Sequence, residues 1–252
     1  MKALITGASS GIGYDMALYL DQLGIDLILV ARDKDKLNDL GKVLKVRPLI
    51  IPMDLSKQEN CLILHDMVKD ESVDILINNA GFGVFGEFGQ TDLNRELEMI
   101  NLNIKAVHIL TKLFLHDMKK KNSGYILNVA SSAGFQPGPL MATYYATKSY
   151  VIKLTMAIYE ELRQSQSKVI VSTLCPGPVD TNFNKVANVS FGIKALSSEY
   201  VAKYAIDQMF KNKLIIIPGF YMKVAYYLGR FVPSKLLLKV TYDLQKRKTD
   251  QK

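Results

Sequence analysis

Short apolar runs recur along this chain between longer amphipathic stretches, and that alternation restricts the fold more than any other feature. The runs are Ala3–Thr6, Leu27–Ala31, Leu49–Met53, Ile75–Asn78, Tyr125–Ala130, Val169–Cys175 and Leu214–Ile217. Most are rich in Ile, Val and Leu without alternation, the pattern of strands buried on both faces. Residues 11–23, 33–45, 56–70, 92–120, 142–165 and 198–211 carry helical patterns between them. Strand and helix in turn predict an α/β fold, a doubly wound seven-stranded parallel sheet with helices on both sides. The 252 residues suit one such Rossmann-like domain over residues 1–219, with a C-terminal extension over 220–252.

The first run opens into Thr6-Gly7-Ala8-Ser9-Ser10-Gly11-Ile12-Gly13, and a helical pattern follows. Gly7 suits the tight turn out of the strand. Gly11 and Gly13 let backbone approach a pyrophosphate and let the helix pack close to the sheet. The helix N-terminus would then offer free N–H groups to the phosphates. The spacing is G-x-x-x-G-x-G, and no Lys follows as in a G-x-x-x-x-G-K phosphate loop. Alone, it also fits a plain strand–turn–helix glycine cluster.

The second run ends Val30-Ala31-Arg32-Asp33. An acidic residue at this strand end would bind a ribose 2′-OH and select NAD. Ala31 stands there instead, and the guanidinium of Arg32 can pair with a 2′-phosphate. NADP(H) is therefore expected rather than NAD(H). The alternative is that Arg32 is a solvated charge and Asp33 caps the next helix. Asp54, after the third run, suits either an adenine amino group or a helix cap.

Tyr144 and Lys148 stand one helical turn apart, on one face. An ammonium beside a phenol favours the phenolate, so the Tyr pKa is expected to fall. Such a phenol can exchange a proton with a carbonyl or alcohol oxygen. Ser131 and Ser132 follow the fifth run, and Asn78-Asn79-Ala80-Gly81 ends the fourth. Both lie at strand carboxyl ends, where a doubly wound sheet binds ligands. Ordinary turn chemistry would also explain them.

Taken in order, these motifs resemble the short-chain dehydrogenase/reductase family, in its single-domain type of about 250 residues. The matching features are Thr6-Gly-x-x-x-Gly11-x-Gly13, Asn78-Asn79-Ala80-Gly81, a helix Asn, a strand-end Ser, Tyr144-x-x-x-Lys148 and Pro176-Gly177. The resemblance implies Tyr144 as general acid/base, with Tyr145 shaping the pocket, and Ser131 as the group that orients the carbonyl. Lys148 would bind the nicotinamide ribose. Asn103 would hold a water in a proton relay, with Asn101 as the other candidate. The implied cofactor-binding set is Gly7, Ser9, Ser10, Gly11, Ile12, Gly13, Arg32, Asp54, Leu55, Asn79, Ala80, Gly81, Tyr144, Lys148, Pro176, Gly177, Val179 and Thr181. The reaction implied is hydride transfer between nicotinamide and a carbonyl or secondary alcohol, without a metal. Family analogy also suggests a homo-oligomer, a dimer or tetramer.

Phe135, Pro137, Pro139, Leu140 and Met141 lie beside the catalytic candidates, and Phe183, Val186, Val189, Phe191 and Ile193 follow the Pro-Gly turn. They suggest an apolar pocket and a hydrophobic substrate, unless they only pack on one another: a 3-oxoacyl, steroid-like or other lipophilic ketone. Two cysteines, Cys61 and Cys175, fit a reducing, cytoplasmic setting. His65, His108 and His116 show no zinc-like spacing with them. The net charge of +8 is concentrated late: residues 220–252 hold eight Lys/Arg against two Asp/Glu. A nucleic-acid protein would spread such charge over its folded surface, so no nucleic-acid partner is expected. No N-terminal signal peptide and no bilayer-spanning helix are expected from the pattern of apolar residues. In the tail, Tyr221, Val224, Ala225, Leu228 and Phe231 share one helical face. A second helix after Pro233 carries Leu237, Leu238, Val240, Tyr242 and Leu244. Packing on the protein or a second copy, contact with an anionic membrane surface, and a solvated end remain open for it.

Overall fold

The computed structural model describes residues 1–181, 195–229 and 231–246. Strand β1 (Lys2–Thr6) occupies the middle of the sheet because neither of its faces tolerates water. Ala3, Leu4 and Ile5 are fully buried. Its side chains alternate between two cores, Ala3 and Ile5 to one and Leu4 to the other. Strand β2 (Asp26–Ala31) divides the same way, with Leu27 and Leu29 opposite in direction to Ile28 and Val30.

The other strands of the sheet are β3 (Leu49–Pro52), β4 (Ile75–Asn78), β5 (Tyr125–Val129), β6 (Ile170–Leu174) and β9 (Ile215–Ile216). All seven run parallel, in the order β3-β2-β1-β4-β5-β6-β9. The expected seven-stranded, doubly wound architecture is thus present. Helices α1 (Gly11–Gln22), α2 (Lys34–Val43) and α7 (Ser198–Phe210) cover one face, through Met16, Leu20, Leu37, Leu40 and Ile206. On the other face lie α3 (Gln58–Met67), α5 (Val107–Lys121) and α6 (Ala142–Gln164), through Leu64, Leu110, Phe114 and Leu162. Each fully buried Leu or Ile contributes roughly 1.5–3 kcal/mol over its exposed state.

The chain runs outward from β1 to β3, then returns to place β4 on the other side of β1. Thr6 pairs with Val30 of β2, and Ile5 pairs with Ile77 of β4. Helix α1 after β1 and helix α5 after β4 therefore lie on opposite faces, and a crevice opens at the carboxyl ends of the strands.

The helical pattern over 92–120 resolves into α4 (Leu93–Ile100), a π-helical stretch over Asn101–Ala106, and α5. The wider turn alters the direction of backbone groups locally, a feature frequent at functional sites. A short ladder of β7 (Val179–Asp180) and β8 (Leu196–Ser197) was not legible in the sequence. Phe183, Val186, Val189, Phe191 and Ile193 lie outside the described residues.

The extension forms α8 (Phe220–Gly229) and α9 (Ser234–Lys246). Its inner contacts are with the body of the protein. Phe135 packs on Tyr226 with ring centres 4.4 Å apart, and Gln136 Nε2 donates to Thr241 Oγ1 at 3.2 Å. The apolar face read from the sequence is largely not the docked one. Tyr221, Val224, Leu228 and Phe231 are exposed, while Met222 and Tyr226 turn inward. Among the described residues, no helix is long and apolar enough to cross a membrane.

Candidate active site

A cavity of about 970 Å³ lies along the carboxyl ends of the strands. It runs from Arg32 and Asp33 after β2, past the loops that follow β1 and β4, to Ser131, Tyr144 and Lys148. Gly7 and Gly11 adopt φ of +67° and +56°, which residues with a Cβ rarely tolerate. Gly13 serves a different purpose. A Cβ there would fall 2.4 Å from Asn79 Nδ2 and 2.5 Å from Gly7 O, so its lack of a side chain lets α1 sit against the loop.

The two loops are clasped together. Thr6 Oγ1 accepts the N–H groups of Asn79 (3.0 Å) and Ala80 (3.1 Å), while Asn79 Nδ2 donates to the carbonyls of Thr6 and Gly7. Ser10 precedes α1 in extended conformation, and its side chain makes no capping bond. The start of α1 thus turns its leading N–H groups toward the cavity that Ser10, Gly11 and Ile12 line, where an anion suits them.

At the far end of β2, Asp33 accepts from Lys36 N at 3.1 Å and caps α2. Arg32 lines the cavity and pairs with Glu98 at 3.2 Å. Glu98 also holds Arg95, whose guanidinium lies 3.9 Å from the centre of the Phe82 ring. Lys36 and Arg95 line the same end. Asp54 Oδ1 accepts from the backbone and hydroxyl of Ser56, at 3.0 and 2.8 Å. The donor set fits a dinucleotide phosphate: uncapped helix N–H groups at the middle, with guanidinium and ammonium groups at the strand end.

At the other end, Tyr144 and Lys148 are both buried on α6. Lys148 Nζ donates to Val129 O at 3.0 Å and lies 5.9 Å from the centre of the Tyr144 ring. Ser131 is hydrogen-bonded to the Tyr144 phenol, and its Oγ also accepts from Ala133 N at 3.1 Å. Burial raises the phenol well above its ordinary pKa; the bond to Ser131 opposes this, and the neighbouring Tyr145 adds to it. The expected fall in the Tyr144 pKa is therefore not what these residues produce, because desolvation dominates. Lys148 itself is lowered to about 8 by burial, against the influence of the Cys175 thiol beside it.

Gly7, Ser9, Ser10, Gly11, Ile12, Arg32, Asp54, Leu55, Asn79, Ala80 and Gly81 line the cavity, as do Ser131, Tyr144, Lys148, Pro176, Gly177, Val179 and Thr181. Gly13 and Asn103 do not. Asn103 is fully buried within the π-helical stretch. Its carboxamide accepts from Phe82 N (3.2 Å) and donates to Phe82 O (2.9 Å) and Thr147 Oγ1 (3.1 Å). It thereby fixes the β4 loop to α6, a positioning arrangement rather than an open polar group. Met141 lines the cavity, whereas Phe135, Pro137 and Pro139 line a second one of about 810 Å³ beneath the extension. Sequence reading missed Thr6 as a clasp, the Glu98–Arg95–Phe82 group, and Met222, Thr241 and Gln245 as lining. The Thr6 clasp could have been suspected from its place in the first motif; the others depend on contacts between distant segments.

Comparison with known proteins agrees with this arrangement. The short chain dehydrogenase family matches residues 1–190. An uncharacterized oxidoreductase of Staphylococcus epidermidis is 32% identical over 215 residues, covering 82% of this chain and 90% of that protein. A hydroxysteroid dehydrogenase-like protein of Gallus gallus is 30% identical over 243 residues, covering 92% and 72%. A solved short-chain dehydrogenase from Sphingobium yanoikuyae in complex with NADPH superposes with a TM-score of 0.83 at 28% identity, covering 90% of this chain and 91% of that one. A short-chain dehydrogenase/reductase from Burkholderia phymatum in complex with NAD gives 0.82 at 25% identity, covering 90% and 92%. The chain belongs to the short-chain dehydrogenase/reductase family and is an oxidoreductase that binds a nicotinamide dinucleotide.

Proposed function

We propose that the protein is an NADP(H)-dependent carbonyl reductase or alcohol dehydrogenase acting on a hydrophobic substrate. The observation that carries this reading is the placement of Tyr144, Ser131 and Lys148 in the wall of the same cavity as the glycine loop. The cofactor, when bound, supplies or accepts the hydride. Tyr144 is held as a neutral phenol by its burial, so it can give its proton to a carbonyl oxygen as charge develops there. Ser131 stabilises the resulting phenolate by donating to it and helps orient the carbonyl. Lys148 holds its amine near the Val129 carbonyl, at the end where the nicotinamide ribose would lie. Asn103 keeps the β4 loop in place beneath them.

One structural relative holds NADPH and another NAD, so the preference for NADP(H) rests on Arg32, supported by Lys36 and Arg95 in the same end of the cavity. The hydrophobic substrate rests on Phe82, Met141, Met222 and Leu244 in the lining, and on the apolar cavity beneath the extension. Residues 1–219 are the catalytic body in this reading, and α8 and α9 of the extension roof its substrate end through Met222, Ala225, Thr241, Leu244 and Gln245. A cytoplasmic homo-oligomer is the setting we assign it. Tyr144→Phe tests the chemistry. Turnover of NADPH on a panel of carbonyls should fall by about a hundredfold or more, with NADPH binding by fluorescence titration unchanged. Turnover equal to the parent would remove Tyr144 from the mechanism.

A further inference from the structure

Helix α9 is amphipathic in the reverse of the usual sense. The side chains it buries against the protein are Thr241 and Gln245, with Leu237 beside them. Leu236, Val240 and Leu244, four residues apart, form a stripe that faces outward. Leu236 is 54% exposed and Leu244 51%. On α8, Tyr221 is 87% exposed and Leu228 62%, and Phe231 after it is 86% exposed. Isolated exposed apolar side chains are ordinary, but a stripe on one helix beside several large exposed apolar side chains on the next marks a surface that something covers.

The charge around this face distinguishes the candidates for its cover. Lys235, Lys239 and Lys246 are exposed on α9, whereas Lys223 on α8 is tied to the Tyr204 hydroxyl at 3.0 Å. The extension as a whole carries eight Lys/Arg against two Asp/Glu. A second copy of the same face would bring like charges together, which opposes association. An anionic bilayer surface complements both features. Apolar and aromatic side chains enter the headgroup boundary, while the lysines extend to the lipid phosphates.

We propose that the outward face of α8 and α9 docks the protein on an anionic lipid surface, as a peripheral contact. Leu244 belongs both to this face and to the lining of the catalytic cavity. Docking therefore sets the substrate end of that cavity against the bilayer, where a lipophilic carbonyl would be dissolved. The docking itself does not depend on the assigned chemistry, and its test reads binding rather than turnover.

The test is sedimentation of the full chain with phosphatidylglycerol-rich vesicles and with pure phosphatidylcholine vesicles. Two double variants accompany it, Lys235→Gln/Lys239→Gln and Leu228→Ser/Leu236→Ser, all at exposed positions outside both cavities' catalytic wall. The parent should partition onto the anionic vesicles and not the neutral ones. The lysine variant should bind about thirtyfold more weakly, from about 1 kcal/mol per charge. The serine variant should also lose partitioning, with circular dichroism unchanged. Equal partitioning on both vesicles, no partitioning on either, or full retention in both variants would overturn the proposal. Sedimentation velocity is run on the same samples. A dimer that the serine variant dissociates, without vesicle binding, would assign the face to a second copy instead.

Discussion

Gln245, at the end of α9, donates its side-chain amide to the phenol of Tyr145, the residue next to Tyr144 and one hundred positions earlier in the chain. The C-terminal extension is thus tied to the catalytic helix by a polar contact at the cavity wall. Burial raises the Tyr145 phenol, and the bond from Gln245 works against that rise.

Removing that donor should therefore cost stability. Gln245→Ala leaves a largely buried hydroxyl without this partner, at a cost of about 1–2 kcal/mol. For a chain of this size that is a fall in Tm of roughly 2–8 °C, measured by calorimetry. Adding Tyr145→Phe should recover part of the loss, since the hydroxyl left unsatisfied is then absent. An unchanged Tm in the single variant would mean that the extension is not held there.

Arg32 and Glu98 should set cofactor preference in opposite directions. Their ion pair is partly exposed, with the Arg32 side chain 60% accessible, so its strength is modest. Arg32→Ala should weaken NADPH binding by about tenfold, with NADH little affected. Glu98→Gln should release the guanidinium and tighten NADPH by about two- to fivefold. Fluorescence titration with both reduced nucleotides checks this. Tighter NADH binding that Arg32→Ala leaves unaltered would overturn the NADP(H) preference.

Lys148 should carry a pH-dependent penalty on the fold. Its pKa falls from an ordinary value of 10.5 to about 8 because burial disfavours the ammonium. Below pH 8 the amine is protonated in both folded and unfolded states, and the full cost, on the order of a few kcal/mol, is present. From about pH 8 to 10.5 the unfolded chain binds more protons, so the cost shrinks as pH rises. Lys148→Met should accordingly melt higher than the parent near pH 7, with the gap closing toward pH 10. A gap that is absent at pH 7, or widens with rising pH, would contradict the desolvated ammonium.

Some of this site could be read from the sequence and some could not, and Tyr144 illustrates both. Its position one turn from Lys148 follows from helix geometry alone, and the structure places both at the cavity. Its proton affinity does not, because much of the burial that raises it comes from Phe82 and Met99, brought from two other segments to join Met141 at the start of its own helix. Asn103 is similar. The motif located it, but only the packed loop decides that its carboxamide grips Phe82 and Thr147 instead of opening to the cavity.

The sequence by itself determined the seven strands of the main sheet, the helical stretches between them, the glycine turns and the parallel, doubly wound order. Those follow from short-range sterics and from the period of apolar residues, which act within a few positions of each other. Tertiary structure decided which face of α8 and α9 turned inward, how Glu98 came to hold both Arg32 and Arg95, and which way the Tyr144 pKa moved. Each of these depends on what a side chain meets across the fold. Periodicity reports that a helix has an apolar face; the shape and polarity of the surface it reaches decide whether that face is the one buried.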